Sequence, residues 1–414
     1  MQPASPHRPP DSSSRKRWLM LASYSLLAMT SQLVWLSFAP IATQAAPALG
    51  VSAGAVGDLA AINPLVYALV ALPAGRLMDR RFNASLSAGA LLTMAGALVR
   101  WVWPTCFAGV LTGQFLSAVG QPLVLNAITK FAVRYFPPSE RTMAISVGSV
   151  AQFAGILLAS TTGEEIFRAG GLRALLLIHA LVSVVAATSV LVSLRIVPGT
   201  SDVPGATSSL RWLLRDRVTW QLAGLLFIGV GVFNALATWL DPVLHSLGHE
   251  GAAGPLITVI TVGGMIGAAV LPQAAAARER RRRLLIIAIV FTGLVFSALA
   301  TVHDLVFIGV ALFLEGFVLL ACLPVALEWS ELHVGPDRAG AAAGFLLSVG
   351  NLGGAVLVLA LQPLIDSPRI AFLALALTAL PGLALAARLP TGARPGAKKV
   401  RGPIPERTEG GSPP

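Results

Sequence analysis

Twelve stretches of this chain are each long and apolar enough for a helix to cross a bilayer, which takes about 20 residues over roughly 30 Å of hydrocarbon. They fall at 18–41, 56–78, 84–103, 105–136, 141–162, 172–195, 218–244, 252–277, 284–302, 305–329, 338–361 and 369–388. The fourth is long, so it is expected to tilt or to protrude. Of the 30 Lys and Arg, 26 lie in the N-terminal segment, the C-terminal tail and every second connection, or at the span ends that border them. Only Arg100, Arg168, Arg173 and Arg369 fall on the other side. Short cytoplasmic loops are enriched in these residues. The alternation therefore predicts a multi-pass plasma-membrane protein with both termini cytoplasmic, and the excess of Arg over Lys points to a bacterial inner membrane.

A soluble domain usually carries about a quarter charged residues. With 12% charged and 55% hydrophobic residues, this chain is not of that class. Its net charge of +11 is spread over short loops and a tail facing anionic lipid, which argues topology and against a nucleic-acid partner. Cys106 and Cys322 have no metal-type spacing and are expected as small apolar residues buried in the fourth and tenth spans. No nucleotide-binding glycine loop or metal-ligand cluster is present, so no cofactor, bound metal or ATP drive is expected. Gly50, Val51, Ser52, Ala53 and Gly54 spell a hydrolase-like G-x-S-x-G, but in a loop between two membrane spans rather than a strand-to-helix turn. No nucleophile and base pair emerges, so an enzyme is not expected. The run from Trp18 to Ile41 exceeds a signal-peptide core and is read as a retained span.

Six spans precede residue 196 and six follow 217, separated by a turn-rich stretch with Pro198, Gly199, Asp202, Pro204 and Gly205. The expected layout is a cytoplasmic tail 1–17, a six-helix bundle 18–195, a linker 196–217, a second bundle 218–388 and a disordered tail 389–414. Two repeated bundles with a substrate held between them near the midplane is a transporter architecture. Glycines inside the spans, such as Gly263, Gly264, Gly267, Gly350, Gly353 and Gly354, are read as close-packing positions. Pro64, Pro73, Pro122 and Pro324 are expected to kink their helices.

The second span ends in Gly75, Arg76, Leu77, Met78, Asp79, Arg80 and Arg81. This resembles the loop 2/3 signature of the major facilitator superfamily. The resemblance implies an all-α membrane protein of twelve transmembrane helices in two six-helix pseudo-repeat bundles. It also implies that Gly75, Asp79 and Arg80 form a conformational gate, with the acid set against the start of helix 11 when the transporter faces outward. A carboxylate is stabilised at a helix N-terminus by the peptide dipoles.

Further segments are GQFLSAVGQPLVLNAITKFAVRYFPPSER from Gly113, GFVLLACLPVALEW from Gly316, SVGSVAQFAG from Ser146 and SQLVWLSFAP from Ser31. They resemble the feline leukaemia virus subgroup C receptor family, whose members move choline, ethanolamine and, by proposal, haem. The resemblance implies that Trp35 and Gln152 contact substrate. A quaternary ammonium has no proton to donate and is held against aromatic faces. Two departures stand out: Asn234, beside Phe233, replaces an aromatic partner, and Asn351 replaces a glutamine. Phe233 or Trp239 is the candidate to compensate, and a more polar substrate fits equally.

Gln32, Gln114, Gln121 and Asn126 are polar residues within spans, either lining a cavity or joining helices. Glu315 lies ten residues into the tenth span, about 15 Å deep at 1.5 Å per residue. Intramembrane charge is costly and marks function, so Glu315 is the candidate counter-ion or proton carrier. Asp58, Lys130, Asp241 and Glu328 lie nearer helix ends and are expected to cap or pair. His179 is expected to be a packed, satisfied histidine. The reading is a secondary or facilitative transporter of a small organic solute by alternating access, with a choline-like or other amine cation ahead of anions. Protons are the candidate coupling ion, and a monomer is expected. Its rivals are a multidrug or metabolite exporter of the same fold and a membrane receptor or sensor that does not transport.

Overall fold

The computed structural model describes residues 12–137, 140–197 and 210–390. The N-terminal eleven residues, most of the expected linker and nearly all of the expected tail lie outside them, as does the side chain of Asp79. Among the described residues every regular element is helical. Eleven apolar helical segments are long enough to cross a membrane. The longest, Met143–Ile196 with 54 residues, is two crossings in one, because Gly171 inside it takes φ 66° and ψ −169°. Only glycine adopts such a backbone without strain. The chain doubles back there: Arg17 pairs with Glu140 at 2.8 Å, and Ser23, nearly two turns further along the same helix, meets Ser193 at 2.9 Å. Twelve crossings result, as the sequence predicts.

The first, fourth, tenth and twelfth crossings are interrupted. The first runs as α1 (Ser12–Leu36), a short turn at Ala39–Ile41, and α2 (Ala42–Leu49), so it extends beyond the expected end at residue 41. The second and third are α3 (Ala53–Arg80) and α4 (Phe82–Val102). The fourth neither tilts nor protrudes as one rod: α5 (Phe107–Leu125) stops at Asn126 and α6 (Ala127–Tyr135) follows. Pro122, lacking an N–H, removes a helical hydrogen bond just before this break. The fifth and sixth are the two parts of α7 (Arg141–Ile196), then come α8 (Arg217–Ser246), α9 (Ala253–Ala277) and α10 (Arg281–Leu299). The tenth crossing is broken like the fourth, into α11 (Leu305–Leu319) and α12 (Cys322–Val334). The chain closes with α13 (Pro336–Leu361), α14 (Pro368–Leu377) and α15 (Ala379–Ala387).

Small residues set the close approaches. A Cβ on Gly113 of α5 would strike the Gly96 carbonyl of α4, and one on Gly353 of α13 would strike the Phe227 carbonyl of α8. Such contacts replace the hydrophobic drive that lipid cannot provide between helices. Apolar cores form within each half: Met20, Tyr24, Phe82 and Phe131 in the first, Leu222, Trp329, Leu346 and Ala386 in the second. A further core joins the halves, with Trp35, Ala61 and Ile156 from one and Trp239, Val358 and Leu361 from the other.

The G-x-S-x-G lookalike is a pair of helix caps. Gly50 at φ 65° ends α2, and the Ser52 hydroxyl accepts from Ala55 N at 3.2 Å to start α3. Cys106 is not buried in a span; it is exposed and precedes α5. Cys322 is partly buried, and both thiols are free.

Candidate functional site

Each half-helix end of the interrupted first crossing leaves backbone groups without intrahelical partners. At the end of α1 these are carbonyls, carrying the negative pole of the helix. Arg100 of α4 donates to the Val34 carbonyl at 2.8 Å, to Gln114 Oε1 at 2.6 Å and to Ser37 Oγ at 2.7 Å. Gln114 Nε2 in turn donates to the Trp35 carbonyl at 3.2 Å and to Asn63 Oδ1 at 2.9 Å. The guanidinium lies 5.2 Å from the centre of the Phe38 ring. It is fully buried and has no carboxylate within ion-pair reach among the described residues. The helix end itself supplies the compensating negative potential. Arg100 is thus an internal charge and not one of a connecting loop. Its position inside an apolar span, fourteen residues before Gln114, is the signal that marks it as internal.

This network fixes Trp35 in place. Its indole N–H donates to the Ala60 carbonyl of α3 at 3.0 Å, and the ring is 7% exposed within the core that joins the halves. Phe153 and Phe233 pack against the same core. One turn before Trp35, Gln32 accepts from Gln121 Nε2 at 3.1 Å, and a Cβ on Gly155 would press on Gln32 Cβ. Gln152 is half-buried on that same helix. Asn234 lies against Gly354 of α13, whose Cβ would also lie 3.1 Å from Pro64. Trp35, Gln32, Gln121, Phe233 and Asn234 are therefore gathered around the plane between the halves. Asn126, at the break of the fourth crossing, accepts from the Tyr67 hydroxyl at 2.5 Å. Asn351 donates to its own helix, at Leu347 O, 2.9 Å away. Trp239 donates to the Val358 carbonyl at 2.7 Å and covers Gly57, so it belongs to the contact that seals the halves.

The halves touch at the end opposite the termini. Asp241 Oδ2 of α8 accepts from Thr43 N at 2.8 Å and Thr43 Oγ1 at 2.7 Å. Ser160 and Thr258 share a hydrogen bond of 2.8 Å, and Gln362 Nε2 donates to Asp58 Oδ2 at 3.2 Å. Gly251, at φ +74°, lets the turn before α9 reach Glu164 and Arg168. All hydrogen bonds between the halves among the described residues belong to this end. At the other end, Gly75 of α3 and Gly344 of α13 face open space, and Arg80 is exposed.

Glu315 sits elsewhere, inside the second half. It is fully buried, its Oε1 accepts from Thr292 of α10 at 2.6 Å, and its Oε2 has no protein partner. An apolar cavity between α8, α10, α12 and α15 is lined by Thr292 and Cys322, alongside Gly229 and Thr378. Glu328 pairs with Arg281 at 2.9 Å and Lys130 donates to Met78 O at 3.2 Å, the interface roles expected of them. His179 is packed but not satisfied: it is 1% exposed with neither ring nitrogen bonded, within electrostatic range of Arg100. Among the described residues no group of His, Cys, Asp and Glu could hold a metal.

Twelve crossings in two halves that meet at one end, with aromatic and amide side chains between them, define a membrane transporter of the Major Facilitator Superfamily. The profile of that superfamily matches residues 20–358, and the chain belongs to it. Within it the chain belongs with solute carrier family 49. Member A3 of that family from Danio rerio is 31% identical over 375 residues, covering 84% of this chain and 79% of the relative. The choline/ethanolamine transporter flvcr2b of Danio rerio is 22% identical over 384 residues, covering 85% and 79%. Among solved structures, an inward-facing bacterial homologue of the human lysosomal transporter Spinster aligns with a TM-score of 0.67 at 18% identity, covering 90% of this chain and 96% of that one. The POT family transporter PepTSo aligns at 0.70 and 13%, covering 88% and 97%. These two likenesses concern the fold.

Proposed function

We propose that the chain moves a small organic amine cation, choline-like in chemistry, by alternating access between its two halves. The observation that carries this reading is Trp35, in the core that joins the halves and against which Phe153 and Phe233 also pack, with neutral amides Gln32 and Gln121 one turn away. An aromatic face attracts a desolvated cation by about 2 kcal/mol or more, and amides complete its shell without fixing a proton count. The transported molecules in the name of the flvcr2b relative point the same way. Asn234 makes the C-terminal wall more polar than an aromatic box, which favours a cation that also bears a hydroxyl or amino group.

With termini in the cytoplasm, the closed end is the external one and the arrangement faces inward. In the opposite state Asp79 would cap the start of α13, with Gly75 allowing the approach and Arg80 beside it. Glu315 is assigned to coupling rather than to substrate contact. Its bonded oxygen points to α10, an outer helix, and its second oxygen is free to carry a proton. Cys322 is the titratable neighbour that faces it. The test is binding of choline and ethanolamine to purified protein, read as thermal stabilisation. Stabilisation that Trp35→Ala abolishes supports the reading; stabilisation by organic anions alone refutes it.

A further inference from the structure

The break in the first crossing is held by two charges of opposite sign, one from each half. Arg100, from the same half, occupies the carbonyl end of α1. Asp241, from the other half, occupies the N–H end of α2, where it takes both the backbone N–H and the hydroxyl of Thr43. A carboxylate on the first N–H groups of a helix combines charge-assisted hydrogen bonding with the favourable pole of the dipole. The other contacts that close this end are of a different kind. Ser160 with Thr258 is a neutral hydroxyl pair, and the Asp58 carboxylate, only partly buried, takes a single longer bond of 3.2 Å from the Gln362 amide. Asp241 is 3% exposed, so its bonds compete little with water while the end stays shut.

We infer that the Asp241 carboxylate is the latch that sets the balance between the closed and open forms of this end, working against α2, which Arg100 holds in place through the break. The two bonds are made between halves, so they exist only when the end is closed. Opening must part Thr43 from Asp241 and leave the α2 N-terminus without its anion. The bonds of Arg100 lie within one half and survive the movement. Glu164 of α7 and His245 of α8 face Asp241 electrostatically. Behind them, Arg168 holds Glu164 at 2.6 Å, Gln44 donates to Glu164 at 3.2 Å, and Glu250 lies 3.5 Å from His245. Arg168 offsets Glu164, and among the bonds of the described residues that cross this end those from Thr43 are the ones in which a nearly fully buried carboxylate takes two donors. Asp241 and Thr43 are positioning residues, since neither lies with the gathered group around Trp35.

This inference rests on the alternating-access reading, and its test separates the two. Ser160→Cys with Thr258→Cys places thiols across the closed end, where the native hydroxyls are 2.8 Å apart; Cys106 and Cys322 are first replaced by Ser. The rate of oxidative cross-linking then reports the fraction of time the end is closed. Asp241→Asn keeps the shape and an acceptor oxygen but loses the charge. The expected result is a closed-to-open ratio about tenfold lower, the scale of hydrogen bonds to a charged group. Thr43→Val, which leaves the backbone N–H, removes one of the two bonds to the carboxylate and is expected to lower it by about tenfold, the low end for a hydrogen bond to a charged group. Thr43→Val is also expected to add nothing more to Asp241→Asn than the coupling of residues in contact allows. Unchanged cross-linking in folded Asp241→Asn protein, or in Thr43→Val where the first variant does not fold, overturns the latch. If oxidation of the reporter pair leaves transport intact in the unaltered background, the alternating-access reading falls, and the latch with it.

Discussion

Arg100→Met tests whether a buried charge can stabilise a broken membrane helix. The substitution keeps the apolar stem and removes three donors, to Val34 O, Gln114 Oε1 and Ser37 Oγ. Hydrogen bonds to a charged group contribute about 1.5–3 kcal/mol each, so the gross loss is roughly 4.5–9 kcal/mol. Against it stands relief from burying a guanidinium, which costs several kcal/mol even after relaxation. Val34 O is partly rescued, because Ser37 Oγ still donates to it at 2.7 Å, whereas Gln114 Oε1 loses its donor while Nε2 still holds Asn63. The Trp35 carbonyl keeps its bond from Gln114. The balance is a net loss of about 3 kcal/mol, the lower end of the cost of breaking a buried pair. At about 2–4 °C per kcal/mol for large domains, the unfolding midpoint in detergent should fall by roughly 6–12 °C. Arg100→Lys, which keeps the charge but not the fork, should fall between. An Arg100→Met protein as stable as the parent would refute the account, since it would mean that desolvation of the guanidinium outweighs everything it bonds.

Trp35→Ala should weaken choline binding by about thirtyfold, matching roughly 2 kcal/mol of cation–π attraction, with little change in the elution profile of the protein. Glu315→Gln keeps the bond from Thr292 and should flatten the pH dependence of transport; an unchanged pH profile would remove it from coupling. Asp216 caps α8 by accepting from Thr219 N at 3.3 Å, and also accepts from Thr219 Oγ1. Burial alone would raise its carboxyl, but the bonds from Thr219 and His333 and the charge of His333 hold it below the usual carboxylate range. A lowered folded value means its stabilisation is present above about pH 4, the unfolded value, and is lost as pH falls through the folded one. Asp216→Ala should therefore cost about 1 kcal/mol at neutral pH, and the gap to the parent should close in strong acid. Gly353→Ala, which drives a Cβ into the Phe227 carbonyl, should separate α13 from α8 and destabilise by about 1–3 kcal/mol, the usual cost of overpacking.

The crossings were legible because a bilayer leaves so little choice: length, apolarity and the alternation of Arg and Lys all report the same twelve helices. The breaks were less so. Pro122 signalled the interruption at Asn126, but Ser37–Ile41 contains nothing that would end a helix except Pro40, and the turn there is stabilised by residues 60 to 200 positions away. Arg100 was misplaced for a related reason. A count of charges by side treats a residue near a span end as loop, whereas its donors find carbonyls from another helix. His179 was expected to be satisfied because buried histidines usually are, and the expectation depended on partners the sequence cannot show. Asp241 was read as a capping or pairing residue; the helix it caps lies in the other half of the chain. For the group around Trp35, the aromatic and amide residues could be named from the sequence, but their grouping follows from crossings separated by up to two hundred positions. Asn126 and Asn351, chosen on the same grounds, bond to Tyr67 and to their own helix.

The measurement that bears most directly on the account is uptake of labelled choline into proteoliposomes by protein carrying Ser160→Cys and Thr258→Cys. The account predicts saturable uptake in the reduced protein, loss of uptake when the pair is oxidised, and its return on reduction. No choline uptake by the reduced protein would contradict the substrate, and uptake that persists through complete cross-linking would contradict the movement of the halves.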